Sequence, residues 1–271
     1  MKPVCEMSAA QAAGIRYVLM DIDDTLTTCG KLSAEAYTAL WQLRGAGLKV
    51  IPVTGRPAGW CDLIAREWPV DGVVGENGAL AFWEDGDFQD RRILRQEFHP
   101  NAVRGDHPVL QQIKERVFAE VPGVRIAKDQ FSRLFDIALD FAEEEPVLPL
   151  EAARRIQAIA LEAGAKAKIS SIHVNIWMGN YDKLSMAEHF LRKHCGWQGS
   201  SGEVSPALTE VLFAGDSPND EPMFTRFPLA CGVANIKRYG ELLTHLPAFV
   251  SRNESGEGFA EIVRAVLEKR A

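Results

Sequence analysis

The chain lacks a cysteine pattern, a long apolar run and any excess of basic charge. Its five cysteines, Cys5, Cys29, Cys61, Cys195 and Cys231, are an odd number without a C-x-x-C pair. That supports neither a disulfide framework nor a thiolate zinc site, and it fits a reducing compartment. No stretch reaches the ~18 apolar residues of a spanning helix, and the N-terminal MKPVCEMSAAQAAG has no apolar centre of the signal-peptide kind, so a cytoplasmic protein without membrane partners is expected. Lys plus Arg number 30 against 37 Asp plus Glu, a net charge of −7 with histidine neutral. Nucleic-acid backbones are held by clustered basic charge, and this balance argues against such a partner.

What is present suits an ordinary folded protein. The 271 residues are 46% hydrophobic and 25% charged, enough for one large domain or two ordinary ones. Short, nearly continuous apolar runs at 17–20, 48–53, 72–74, 211–214, 229–233 and 248–250 each stop at turn residues. Such runs predict strands buried on both faces, as in a parallel sheet. Ser33 is placed to cap a helix carrying Ala36, Leu40 and Leu43, Pro57 suits the first turn of a helix with Trp60, Leu63 and Ile64, and 259–267 reads as a final amphipathic helix. The expected class is therefore α/β, with a doubly wound parallel core that binds ligands outside the carboxyl ends of its strands. Asp21, Thr54, Asn77 and Asp216 stand at such ends.

Between about 84 and 179 the texture changes. Strands expected at 79–82, 91–94, 134–141, 167–169 and 172–177 alternate more with polar residues, and helices expected at 108–119 and 150–163 interrupt them, the second stopped by Gly164. The organisation read from this is a core formed by 1–83 and 180–271, with 84–179 inserted as an α+β cap.

Four segments carry chemistry. Asp21-Ile22-Asp23-Asp24-Thr25 crowds three carboxylates at a strand end, a costly arrangement without a cation, and hard oxygen ligands suit Mg²⁺; a solvated acidic turn is the competing reading. Gly215-Asp216-Ser217-Pro218-Asn219-Asp220 is a second acidic turn, whose Asp, Ser and Pro would also suit any helix start. Thr54-Gly55-Arg56-Pro57 offers a hydroxyl and a helix N-terminus to a phosphate, or is simply a strand-to-helix turn. Lys183 follows Asp182, a plausible N-cap, and a cation in a first turn opposes the helix dipole unless an anion lies near it. Each is ambiguous alone, and two acidic turns at strand ends of one sheet point to a metal site.

In this order the segments resemble the four motifs of the haloacid dehalogenase-like phosphatases: Asp21-x-Asp23-x-Thr25-Leu26, Thr54-Gly55-Arg56, Lys183, and Gly215-Asp216-Ser217-x-Asn219-Asp220. The long insert resembles the cap of the subclass (IIB) that contains sucrose-phosphate and trehalose-phosphate phosphatases, and Gly75-Glu76-Asn77-Gly78-Ala79 and Ser255-Gly256-Glu257-Gly258-Phe259 are similar to segments of that subclass. The resemblance implies that Asp21 attacks phosphorus and Asp23 acts as general acid and base. It implies that Asp21, the Asp23 carbonyl and Asp216 hold Mg²⁺, that Thr54 and Lys183 bind phosphoryl oxygens, and that Asn219 and Asp220 orient Lys183 and the metal's waters. Asp24 is then structural. The implied substrate is a small phosphorylated metabolite, a sugar phosphate above all, and the expected assembly is a monomer or homodimer.

Substrate contacts are expected from Gly55, Arg56, Asn77, His173 and Asn175. In 171–177, Ile172, Val174 and Ile176 share one face and Ser171, His173, Asn175 and Trp177 the other. The apolar face should pack on the cap helices and leave the second open above the site, with His173 and Asn175 bonding hydroxyls and Trp177 against a sugar ring. Arg91, Arg92, Arg95, Arg104, Arg125 and Arg133 belong to a solvated face or reach a second anionic group. Two rivals are a phosphomutase of the same superfamily, which needs a cap that grips a second phosphate, and a phospho-acceptor domain, which needs neither a general acid nor a cap.

Overall fold

The structure is a computed structural model that describes residues 1–86, 92–200 and 202–270; Arg91, and with it the start of the strand expected at 91–94, lies outside the described residues. The strand Tyr17–Met20 is buried along its whole length because its alternate side chains enter two different cores. Val18 and Met20 join Leu40, Leu43, Phe259 and Ile262 of the helices Ala34–Gly45 and Ser255–Arg270 on one face. Tyr17 and Leu19 join Met186, Phe190 and Leu191 of the helix Lys183–His194 on the other. A strand covered on both faces has no polar side to show, which is why these runs are continuously apolar.

Six strands form the central sheet in the spatial order Lys2–Pro3, Phe249–Val250, Leu229–Gly232, Val211–Gly215, Tyr17–Met20 and Lys49–Pro52, and every neighbouring pair is parallel. From Tyr17–Met20 the chain goes outward one way to Lys49–Pro52, and from Val211–Gly215 the other way to Leu229–Gly232. The carboxyl ends of these two adjacent strands are thus the switch point at which such sheets bind ligands. Asp21 and Asp216 follow them directly.

Three details differ from the sequence reading. Lys2–Pro3 adds an edge strand too short to show any alternation. The run at 72–74 forms the strand Val73–Gly75, but it pairs antiparallel with Leu80–Asp85 and joins the parallel sheet through a bridge from Val74 to Val53. The tight turn Glu76–Gly78 reverses the chain so soon that the next strand has to fold back on this one. In the helix Ala58–Glu67 the buried face is Ala58, Cys61, Ile64 and Ala65, while Trp60 and Leu63 are 39% and 51% exposed. Small residues let that helix lie against Gly75, where a Cβ would stand 2.3 Å from Cys61 Sγ.

Beyond residue 84, Ile93–Phe98 pairs with Leu80–Asp85 in a three-stranded sheet. A separate four-stranded antiparallel sheet runs in the order Lys166–Ile169, His173–Trp177, Asp136–Asp140, Arg125–Ile126. The last of these strands has only two residues and left no mark in the sequence. The helices Pro108–Glu120 and Leu150–Glu162 cover one face of this sheet, and Ile113, Val117, Ile137, Leu139, Ile156, Ile159, Val174 and Ile176 make a core distinct from the other two. The other face carries Asp136, Ala138 and Asp140 opposite Trp177, Asn175 and His173.

Gly78 seats the start of the helix Lys183–His194. Its φ is +103° and a Cβ there would lie 2.0 Å from the carbonyl oxygen of Asp182, the N-cap whose carboxylate accepts from Ser185 N–H at 2.8 Å. Gly78→Ala therefore combines backbone strain with a clash against main chain, and a loss of about 2–4 kcal/mol is expected in urea unfolding. A variant as stable as the parent would show that the turn and the helix start are not locked together.

Candidate active site

Asp21 and Asp216 are 4% and 1% exposed, and with Asp220 they bring carboxylate oxygens within 4.8 Å of one another. Lys183, itself 2% exposed, donates from Nζ to Asp21 Oδ1 and Asp220 Oδ1, each at 2.8 Å. The anion that a first-turn lysine requires is therefore present twice. Burial, more than the repulsion of Asp220 and Asp23, pushes Asp21 up to about 7 against the pull of Lys183. Asp216 rises well above the usual carboxylate range through burial and then through Asp21, Asp220 and Asp24. Burial works against the charge of Lys183, yet Asp21 and Asp220 raise it and keep it an ammonium.

The three acids are not equivalent. Asp220 is fully engaged, with Oδ1 on Lys183 and Oδ2 accepting from the backbone N–H groups of Asp216 and Ser217 at 3.1 and 3.5 Å. Asp216 receives only long bonds, from the Thr25 hydroxyl at 3.4 Å and Asn235 Nδ2 at 3.3 Å. Asn235 also donates to the Asp24 carbonyl at 3.0 Å, so it ties the two acidic turns together, a role nothing in its sequence context announces. Asn219 Oδ1 accepts from the Ser217 hydroxyl at 2.7 Å.

Around Thr54 the geometry departs from the sequence reading. Thr54 Oγ1 accepts from Arg56 N–H at 3.0 Å and keeps its own proton to donate. The helix N-terminus expected to hold a phosphate is already capped by a carboxyl group of the protein: Glu76 accepts from Ala58 N–H at 3.0 Å, and from Leu134 and Phe135 N–H at 2.9 and 2.6 Å. Arg56 is likewise taken. It donates to Asp23 from Nε and Nη2 at 3.0 and 2.8 Å, and Nη1 reaches Glu143 at 3.0 Å and Asp129 at 3.4 Å, while the guanidinium lies 4.3 Å over the Trp60 ring.

The four-stranded sheet faces this site. His173 and Asn175 line one narrow cleft with Asp21, Asp23, Gly55, Arg56 and Asn219. The face is closed, not open as expected: His173 bonds Glu143 at 2.8 Å, Asn175 Nδ2 donates to Asp136 at 3.0 Å, and the cleft keeps about 10 Å³, the space of one water. Trp177 is buried in a core with Tyr181 and Phe135 and takes no part. Arg133, one of the arginines noted above, is fully buried and donates to the Gly55 carbonyl at 2.9 Å and to Asp136 at 3.1 Å. Gly55 itself leaves little room for a side chain, since a Cβ would stand 3.2 Å from Asn77 Nδ2 and 3.4 Å from Asn175 Oδ1. Asn77 Nδ2 is buried without a hydrogen-bond partner.

Residues 18–120 match the family model of the haloacid dehalogenase-like hydrolases. A phosphoglycolate phosphatase of Pyrobaculum neutrophilum is 26% identical over 263 residues, which cover 94% of this chain and 96% of that protein. Among solved structures, a Thermoplasma acidophilum protein superposes with a TM-score of 0.67 at 20% identity, covering 93% of this chain and 98% of its own. The sucrose-phosphatase of Synechocystis, solved with sucrose and phosphate, gives 0.59 at 13% identity over 93% of this chain and 97% of its own. The chain is thus similar to the haloacid dehalogenase-like hydrolases, through the family model over residues 18–120 and through these relatives over most of its length.

The acidic group fits a hard divalent cation. Asp21 and Asp216 have more free acceptor capacity than Asp220, which accepts three bonds, and Lys183 compensates only one charge of the three. No helix is long and apolar enough to cross a membrane among the described residues.

The closed interface also sets a pH dependence. Burial, then Asp136, pushes Glu76 up to about 7, against its backbone donors. A carboxyl raised in the folded state holds a proton that the unfolded chain has lost, so this contribution is full below about pH 4.5 and disappears as pH rises through 7. Urea unfolding of Glu76→Gln should therefore lose less stability than the parent between pH 5 and pH 7.5; an unchanged slope would remove Glu76 from that role.

Proposed function

We propose that this protein is a Mg²⁺-dependent phosphomonoesterase acting on a small phosphorylated metabolite, a sugar phosphate with its acid derivatives included. The observation that carries this reading is the buried group of Asp21, Asp216 and Asp220 with Lys183, at the switch point of the sheet and under a facing sheet of polar side chains. A nucleophile, a general acid two residues on, a hydroxyl and an ammonium around one cleft are the parts phosphoryl transfer requires.

Mg²⁺ held by Asp21, Asp216 and the Asp23 carbonyl would offset the charge of the phosphoryl group. Thr54 and Lys183 bind its oxygens, Lys183 turning from Asp21 toward the incoming anion. The free oxygen of Asp21 attacks phosphorus as the ester bond breaks, and Asp23 gives its proton to the departing alkoxide. Water then attacks phosphorus, Asp23 takes its proton, and Asp21 is released with inorganic phosphate. Arg56 holds both Asp23 oxygens in the substrate-free site, so one of them has to be freed and take up a proton from solvent before it serves the leaving oxygen. Asp220 keeps Lys183 aimed, Asn219 stiffens the turn, and Asn77 and Asn175 flank Gly55 where the two sheets meet. The unit 84–179 acts as the cap over this site.

Asp21→Asn is nearly isosteric and lacks the attacking charge, so release of phosphate from an aryl phosphate should fall by at least about a thousandfold with the circular dichroism unchanged. Retention of a tenth of the activity would remove Asp21 from the nucleophile's role. Chelation should abolish turnover and Mg²⁺ should restore it, with phosphate and the free alcohol as products and no bisphosphate activator. Full activity in the chelated protein would contradict the role given to the acidic group.

A further inference from the structure

Glu143 occupies a place that suits a ligand. Its carboxylate is clasped between Arg56 Nη1 at 3.0 Å and His173 Nε2 at 2.8 Å, two side chains only 6% and 3% exposed, whereas Glu143 is 32% exposed. It belongs to the loop after Asp136–Asp140, and its backbone N–H is fixed to Asp140 at 2.8 Å, so the side chain is free to swing while the main chain stays. His173 and Arg56 hold Glu143 ionised at about 2, which makes His173 Nε2 the donor. Glu143 lines a cavity of about 310 Å³ with Asp23, Arg56, Ala142, Ser171 and Ile172, and its partners Arg56 and His173 line the cleft of Asp21.

A buried guanidinium cannot be left without an anion, and its planar fork matches a carboxylate better than a hydroxyl. Arg56 also grips Asp23, the general acid of the proposed reaction. A phosphate ester with its phosphorus at Asp21 and its bridging oxygen at Asp23 therefore carries its next functional group to the position Glu143 fills. A neutral hydroxyl there would offer one weaker acceptor to both Arg56 Nη1, which otherwise has Asp129 at 3.4 Å, and His173 Nε2, whereas a second carboxylate would replace the first like for like. Resting on the phosphatase reading above, we propose that the leaving group bears a carboxylate that displaces Glu143 and binds between Arg56 and His173, so that the substrates are phosphorylated hydroxy acids, sugar acids included.

The test compares 2-phosphoglycolate with ethyl phosphate, which is similar in size and lacks the carboxylate, on the full chain with Mg²⁺. The expected kcat/KM ratio favours the carboxylated ester by at least about tenfold, because a site built for a charged partner rejects the analogue without it. His173→Ala should shrink that ratio to within about threefold. A readout independent of turnover is the Tm of Glu143→Ala, which sodium glycolate should raise by about 2–4 °C over matched sodium chloride while leaving the parent unmoved. Equal use of the two esters, a ratio that His173→Ala leaves intact, or no effect of glycolate on Glu143→Ala would each overturn the inference. Hydrolysis of an aryl phosphate without any carboxylate preference overturns it alone; no hydrolysis of any ester overturns the phosphatase reading and this one together.

Discussion

Three buried carboxylates share one ammonium. Asp21, Asp216 and Asp220 meet within 4.8 Å beneath the protein surface, and Lys183 neutralises one charge of the three. Burial cannot be relieved by water there, so the group is complete only with protons or with a cation. That constraint explains the raised Asp21 and Asp216. It also explains the exact seating of the lysine: the N-cap Asp182 starts its helix, Gly78 lets the neighbouring turn approach that cap, and Gly215 leaves room for Asp220, whose Oδ2 would lie 2.5 Å from a Cβ. In the proposed reaction a dianionic phosphoryl group becomes acceptable in such a place only when a cation balances these acids.

The facing sheet solves the opposite problem. It brings Asp136, Asp140, His173 and Asn175 down onto the core, and each buried polar group is answered by another: Arg133 by Asp129 and Asp136, Arg125 by Asp140, Arg56 by Asp23, Asp129 and Glu143. Glu76 completes the junction by tying the core helix Ala58–Glu67 to the backbone of Leu134 and Phe135. Breaking one member of such a network costs more than the network contributes as a whole, since the partner is left buried and unpaired. The substrate-free site is thus closed by its own charges.

Much of this was legible in the sequence because continuous apolar runs that end in acids can be little else than buried strands with a site at their tips. The ends at Asp21, Thr54 and Asp216, the cap at Asp182 and the inward face of His173 and Asn175 all follow from spacing. What spacing does not carry is the identity of partners. Arg56 and the Pro57 helix start read as a phosphate cradle, and nothing local revealed that Asp23, Glu143 and Glu76 occupy them. Trp177 alternates with His173 and Asn175 yet lies at the end of the strand, where Tyr181 and Phe135 enclose it instead of the cleft. Trp60 looked like a core residue because it is apolar; its helix buries its small side chains, and the indole lies under a guanidinium.

The proposed mechanism depends most on Asp21 becoming covalently phosphorylated. Rapid acid quench of the Mg²⁺-loaded enzyme during turnover of a labelled phosphate ester, followed by peptide mapping, tests this directly. The label is expected on the peptide that contains Asp21, as an acyl phosphate that hydroxylamine removes. Label on another residue, or steady turnover with no label on the protein at any time point, would contradict it.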